Sequence, residues 1–257
     1  MVLEYIIGAT VAVSLISLVG ILALGLRENI QKMVLFAAVA FAAGTLLGGA
    51  FFDLLPEALE KLPAQQALSF TLAGIIVFFV LEKFIAWHHH HEPHGKTGKK
   101  ALKVEHKEKP FGYLNVVGDG LHNFFDGAAI AASFMAGVPV GITTTLVIAL
   151  HELPQEIGDY GLLLYSGFSK KKALAFNLLS GLLAVLGGIA FYFASSVIEN
   201  LEGFGLAFTA GIFIYIAASD LFPEFHRESS ARRSVLQFAL LIAGILLIWL
   251  ITRNFAE

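Results

Sequence analysis

There is no cysteine among the 257 residues. Disulfides and thiolate metal sites are therefore excluded, and any metal has to be held by nitrogen and oxygen ligands. The same absence leaves the redox compartment unconstrained. Charge is scarce as well: Asp, Glu, Lys and Arg make up 14% of the chain, against 57% hydrophobic residues. A soluble domain of this length averages roughly a quarter charged residues. The deficit points to an integral membrane protein whose apolar surface faces lipid. A net charge of −3, with the lysines gathered in loops, gives no basic recognition face and argues against a nucleic-acid partner. No basic leader or small-residue cleavage site surrounds the first apolar segment, so that segment is expected to stay as a span.

Long uncharged runs near the bilayer-spanning length of about 20 residues set the topology. Tyr5–Leu26, Met33–Phe52, Leu62–Leu81, Ala173–Ile198 and Ser234–Thr252 hold no Asp, Glu, Lys or Arg. Gly203–Ser219 is shorter and continues through Asp220 into Pro223, and two further spans, near 112–136 and 139–166, carry polar residues. Eight transmembrane helices result, with both termini on one side. Placing the termini outside puts fifteen of the seventeen Lys and Arg residues in the inner segments 27–32, 82–111, 167–172 and 226–233, as the excess of positive charge on the cytoplasmic side requires. Residues 1–257 read as one transmembrane domain, in the cell (plasma or inner) membrane and surrounded by lipid. A homodimer is left open. Aligning 41–57 with 208–224, a shift of 167, gives eight identities in seventeen positions without a gap. Helices 2 and 7 share the ending Asp-Leu-x-Pro-Glu but run in opposite directions, the sign of an inverted repeat.

The two decorated spans carry the chemistry. The first reads His-Asn-Phe-Phe-Asp-Gly from His122, and the second His-Glu-Leu-Pro-Gln-Glu-Ile-Gly-Asp from His151. With Asp119, Asp126, Glu152, Glu156 and Asp159, they bring two imidazoles and five carboxylates into adjacent spans. An ionisable group there costs several kcal/mol unless a partner, an ion or water meets it. His122 and Asp126 are four apart on one helix face, with Asn123 on the adjoining strip; His151 and Gln155 are again four apart, and Glu152 lies about 100° round. The His/Asp and His/Gln faces can supply four ligands to one ion. Asn123 and Glu152 could then supply part of a second, with Asp126 or Gln155 as a bridge. Mixed imidazole and carboxylate sets suit Zn²⁺, Fe²⁺ and similar divalent ions, whereas Ca²⁺ and Mg²⁺ prefer all-oxygen cages. Pro154 is expected to kink its helix and free the Leu150 carbonyl beside the site. Glycines 118, 120, 127, 158 and 161 are expected to let helices 4 and 5 approach closely. Asp53 and Asp220 are vestibule candidates, while Asn177 fits an interhelical hydrogen bond as well as a metal role.

The 82–111 segment holds His88, His89, His90, His91, His94 and His106 among seven lysines. It reads as a mobile cytoplasmic loop suited to loose metal capture. Taken together, these features resemble the ZIP family of divalent-metal transporters over nearly the whole chain. The match is narrowest to the branch reading His-Asn-Phe-x-Asp-Gly in helix 4 and His-Glu-x-Pro-His-Glu-x-Gly-Asp in helix 5, through His122, Asn123, Phe124, Asp126 and Gly127, then His151, Glu152, Pro154, Glu156, Gly158 and Asp159. The resemblance implies an all-α bundle in which helices 1–3 and 6–8 form an inverted repeat around helices 4 and 5. It also implies metal influx through sites on those two helices, with Zn²⁺ or a related ion (Cd²⁺, Fe²⁺, Mn²⁺) as cargo and no resident cofactor. Gln155 departs from the branch pattern, which has His there. An alternative is an intramembrane zinc hydrolase, since His151-Glu152 begins like His-Glu-x-x-His, but Gln155 occupies the place of its second histidine.

Overall fold

The computed structural model describes residues 1–19, 28–89, 110–226 and 228–255, and among them the chain is entirely helical with eight long helical units. Helix α1 covers Val2–Ser14 and tightens into a 3-10 turn at Leu15–Leu18. Helix α2 runs through Glu28–Gly49, a π turn at Ala50–Leu54, and Leu55–Lys61. Next come α3 (Ala64–His89), α4 (Pro110–Ala136) and α5 (Val138–Tyr165). Helix α6 is broken at Leu182 into Lys170–Gly181 and Leu183–Ser195. Helix α7 comprises Leu201–Ile216, a π turn at Ala217–Leu221, and Phe222–His226, and α8 is Ala231–Phe255. Among the described residues, five segments are long and apolar enough to cross a membrane: Lys32–Lys61, Ala64–Lys83, Lys170–Ser195, Leu201–His226 and Ala231–Asn254. Helices α4 and α5 have the length, but polar residues dilute their hydropathy. The apolar part of α1, Val2–Leu18, is shorter.

Two boundaries differ from the expectation. The third helix does not stop at Leu81 but continues to His89, because Glu82–Trp87 contains no proline or glycine to end it. Residues 90–109, with His90, His91, His94 and His106, lie outside the described residues. The second helix likewise passes Phe52 and reaches Lys61. Pro56 lacks an N–H and would clash with the carbonyl four residues back. The π turn just before it widens the helix to make room. Pro223 in α7 follows its own π turn in the same register.

The repeat is built into the packing. The two π turns begin at Ala50 and Ala217, 167 residues apart. Ser14 Oγ donates to Gly181 O at 2.6 Å, again a separation of 167, where α1 tightens and α6 breaks. Gly44 of α2 lies against the Leu241 carbonyl of α8, and its repeat partner Gly211 of α7 lies against the Thr71 carbonyl of α3. Gly244 and Gly74 complete these seams from the other side, on the carbonyls of Phe41 and Phe208. Small residues let helix backbones touch in this way where lipid supplies no hydrophobic drive. Helices α3 and α8 stand at the periphery and turn Leu68, Leu72, Phe79, Val235, Phe238 and Leu250 outward.

Helices α4 and α5 occupy the centre. Only Gly137 separates them, so they must run antiparallel as neighbours. His122 stands fifteen residues before Gly137 and His151 fourteen after it, which sets both imidazoles at one depth, about 21 Å from the connection. Four of the glycines expected to bring these two helices together do not do so. Gly127 meets the Ala184 backbone of α6, Gly120 the Leu183 side chain of α6, and Gly187 of α6 the Phe124 backbone. Nothing lies within 4 Å of a Cβ placed on Gly158 or Gly161. The tight seam is therefore α4 on α6. Helix α5 runs unbroken from Val138 to Tyr165 through Pro154.

Candidate metal centre

Four side chains converge between α4 and α5. Ligand atoms of His122, Asp126, His151 and Glu152 all lie within 4.8 Å of one another. His122 Nε2 is 3.3 Å from His151 Nε2, 3.8 Å from Asp126 Oδ2 and 3.4 Å from Glu152 Oε1. His151 Nε2 is 3.3 Å from Asp126 Oδ2 and 3.7 Å from Glu152 Oε1. Asp126, His151 and Glu152 are essentially without solvent contact. Yet Asp126 Oδ2 and Glu152 Oε1 accept no hydrogen bond. Two buried carboxylate oxygens left unsatisfied would be strongly destabilising in a finished protein interior. A divalent cation placed among the four atoms removes that cost.

The surroundings orient the ligands. His151 Nδ1 lies 3.2 Å from the Val147 carbonyl. A carbonyl cannot donate, so Nδ1 carries the proton and Nε2 keeps its lone pair for an ion. The edge of Phe78 meets the His122 ring with centroids 5.5 Å apart, and Phe213 meets His151 at 5.9 Å. These contacts hold both imidazoles against rotation.

The six residues singled out by spacing divide. His122, Asp126, His151 and Glu152 come together. Glu152 stands with the histidines. Gln155 lines the cavity that the two histidines also line, its amide beside the Asp119 carboxylate. Asn123 turns its amide nitrogen to Asp119, at 2.9 Å from Oδ1, and its own Oδ1 is buried without a partner.

Around this core lies a layer of buried polar pairs. Ser180 of α6 hydrogen-bonds Asp119. Asn177 of α6 donates to Glu156 Oε2 at 2.5 Å and to the Ser17 carbonyl at 3.2 Å. Asn115 donates to Asp159 Oδ1 at 3.0 Å. Spacing along α5 marked Glu156 and Asp159 as intramembrane carboxylates. Asn115, the partner of Asp159, and Ser180, the partner of Asp119, carried no signal in sequence, because each meets its carboxylate from another helix and belongs to a common residue type.

A cavity of about 450 Å³ opens from the two histidines toward the end of the bundle where α3, α5 and α7 finish and α4 begins. Its wall includes Asp119, Asp159, Asp220 and Glu82, and Tyr215 hydrogen-bonds Glu82 at its side. The opposite end is closed between α2 and α5. There Asp53 is buried and accepts a 3.4 Å hydrogen bond from Thr144, and Lys61 bridges Glu57 and Glu202 at 3.3 and 3.2 Å. Asp53 is thus an interhelical contact, and Asp220 faces the vestibule.

Comparison with known proteins agrees with the site. The family model described as ZIP zinc transporter matches residues 3–111 and 87–252. The chain is 35% identical over 235 residues to zinc transporter ZIP13 of Pongo abelii, covering 86% of this chain and 67% of that protein. It is 31% identical over 334 residues to zinc transporter SLC39A7 of Rattus norvegicus, covering 96% and 71%. A zinc transporter ZIP13 homolog of Drosophila melanogaster is 30% identical over 287 residues, covering 90% and 81%. These matches set aside the hydrolase alternative. The chain belongs to the ZIP zinc transporter family, and its activity is the transport of divalent metal across a membrane rather than catalysis.

Proposed function

We propose that this protein carries Zn²⁺ into the cytoplasm by alternating access, with the ion held between α4 and α5 by His122, Asp126, His151 and Glu152. One observation carries the reading: two buried carboxylate oxygens without hydrogen bonds converge with two imidazole nitrogens. Two carboxylates cancel the charge of one divalent ion, so the loaded site is close to neutral. Crossing the low-dielectric centre of the bilayer then avoids most of the cost of a bare ion. Two nitrogens and two oxygens form a tetrahedral set that suits Zn²⁺, with Cd²⁺, Fe²⁺ and Mn²⁺ as competitors. Asn123 and Gln155 are flanking ligands: Asn123 offers its unpartnered Oδ1, and Gln155 receives the ion on the cavity side.

The direction of transport rests on orientation. The open cavity faces the end that carries most of the Lys and Arg residues, the cytoplasmic end by the positive-inside rule. Both chain termini then lie outside, and the His-rich segment 82–111 samples released metal in the cytoplasm. Residues 1–257 act as one transporter unit in the cell membrane, with α3 and α8 facing lipid. The test is zinc uptake by the purified protein in liposomes containing a trapped zinc indicator, with Cd²⁺, Fe²⁺ and Mn²⁺ as competitors. Saturable uptake that disappears in Asp126→Asn and Glu152→Gln is the expected result. Absence of zinc-dependent flux in the unmodified protein would overturn the reading.

A further inference from the structure

The repeat makes the closed end a template for the open one. At the closed end two features of α2 meet α5: Asp53 on Thr144, and Gly49, where a Cβ would come within 3.1 Å of the Val147 side chain; Leu54 beside Asp53 is fully buried. Adding 167 takes Gly49, Asp53 and Leu54 to Ile216, Asp220 and Leu221 on α7. The α4 counterparts follow from the facing histidines. Thr144 and Val147 stand seven and four residues before His151, and Asn115 and Gly118 stand seven and four before His122. All five counterparts (Ile216, Asp220, Leu221, Asn115 and Gly118) line the cavity. What is packed at one end is parted at the other.

We infer that Asp220 and Asn115 are the gate pair that closes the cavity end in the opposite access state, as Asp53 and Thr144 close the other end here. The inference rests on the alternating-access reading above, and two details of chemistry support it. An asparagine amide has two N–H groups. Asn115 gives one to Asp159 at 3.0 Å, leaving the second for the Asp220 carboxylate. Among the described residues Asp220 accepts from its neighbour Ser219, at 2.6 Å, a local bond that closure can exchange. The steric match is also conserved in reverse. At the closed end glycine on α2 receives valine on α5; at the open end glycine on α4 and isoleucine on α7 both line the cavity. On closure the isoleucine would fill the glycine gap, with donor and receiver exchanged between the helices. Inverted repeats commonly produce two access states by swapping the conformations of their halves.

The absence of cysteine lets the pairs be linked in the native background. Full-length Asp53→Cys/Thr144→Cys and Asn115→Cys/Asp220→Cys are reconstituted in liposomes and treated with a short bifunctional thiol reagent cleavable by reductant. Both pairs are expected to link, and each link should stop zinc uptake until it is cleaved. The Asn115–Asp220 link should also reduce maleimide labelling of an added Leu221→Cys from the cavity side by at least fivefold. Gly118→Cys/Ile216→Cys spares the carboxylates and carries the same linking test if loss of Asp220 impairs folding. Linking of Asp53 to Thr144, with no linking at either cavity-side pair, would overturn the gate assignment and leave alternating access standing. Unchanged uptake after the Asp53–Thr144 link would instead overturn alternating access itself.

Discussion

His122 and His151 face each other Nε2 to Nε2 at 3.3 Å, each from the middle of its own helix. With the His151 proton held on Nδ1 by the Val147 carbonyl, a lone pair points into the gap between the rings. Asp126 and Glu152 flank that gap from the two helices. The pair is stable chiefly as a cradle: empty, it places two unsatisfied carboxylate oxygens beside two imidazoles; filled, every one of those atoms gains a ligand bond.

That asymmetry predicts opposite effects of one substitution on the empty and the loaded protein. Asp126→Asn removes a buried charge and a ligand together. In detergent without metal the variant should melt at a temperature equal to or above that of the unmodified protein, because relieving an unpaired buried charge is favourable. The unmodified protein should gain stability on adding zinc, by about 2.7 kcal/mol at a hundredfold excess over its dissociation constant. The variant should gain little. Thermal melts with and without zinc check this, and an intact zinc shift in Asp126→Asn would remove Asp126 from the ligand set.

The glycines separate packing from chemistry. Gly127→Ala places a methyl against the Ala184 backbone of α6, where neither helix can yield without shifting. A loss of about 1–3 kcal/mol is expected from such overpacking. Gly158→Ala meets nothing within 4 Å and should be neutral or stabilising, by up to about 1 kcal/mol, because alanine favours the helix. Melting temperatures of the two variants, measured side by side in one detergent, give the comparison. Equal losses would mean that the α4–α6 seam is less tight than described.

Removing His88–His94 should leave translocation intact. The metal centre and the cavity are built from residues of α2 to α5 and α7 that come before Lys83 or after Pro110. Flux in liposomes should remain saturable, with any change confined to apparent affinity. Loss of all uptake in a variant that still melts cooperatively would place the segment in the ion's path.

Periodicity was enough to place His122 over Asp126 and to mark both spans as the core, because helical spacing is local. It paired His151 with Gln155 for the same reason, and both line the cavity, but it left Glu152, which stands 3.4 Å from His122, to a second ion. Which of Glu152 and Gln155 reaches His122 depends on the rotation of α5 against α4, set by the single-residue link at Gly137 and by Val147 packed on Gly49. Neither constraint lies within the motif. The repeat was legible from Asp-Leu-x-Pro-Glu, but the π turns before Pro56 and Pro223 were not, since a π turn answers the clash of a proline inside a continuing helix. The contacts of Asn177 and Ser180 with Glu156 and Asp119 join α6 to the central pair. They required a fold before they could be seen.

Gln155 offers the sharpest chemical test, because it lies one turn beyond His151 and lines the cavity beside the two histidines. Its amide oxygen can bind a metal, but it brings no charge and little basicity. Gln155→His sets a second imidazole four residues from His151, on the side from which an ion leaves for the cavity. Tighter binding of Zn²⁺ and Cd²⁺ is expected, with apparent affinity improved on the order of tenfold, equivalent to about 1.4 kcal/mol. Maximal flux should fall at the same time, since an ion held on its exit path leaves more slowly. A concentration series of zinc uptake in the two proteins separates these effects. Lower half-saturation with lower maximal rate places residue 155 on the ion's route, whereas unchanged values of both would show that the ion leaves past another face of α5.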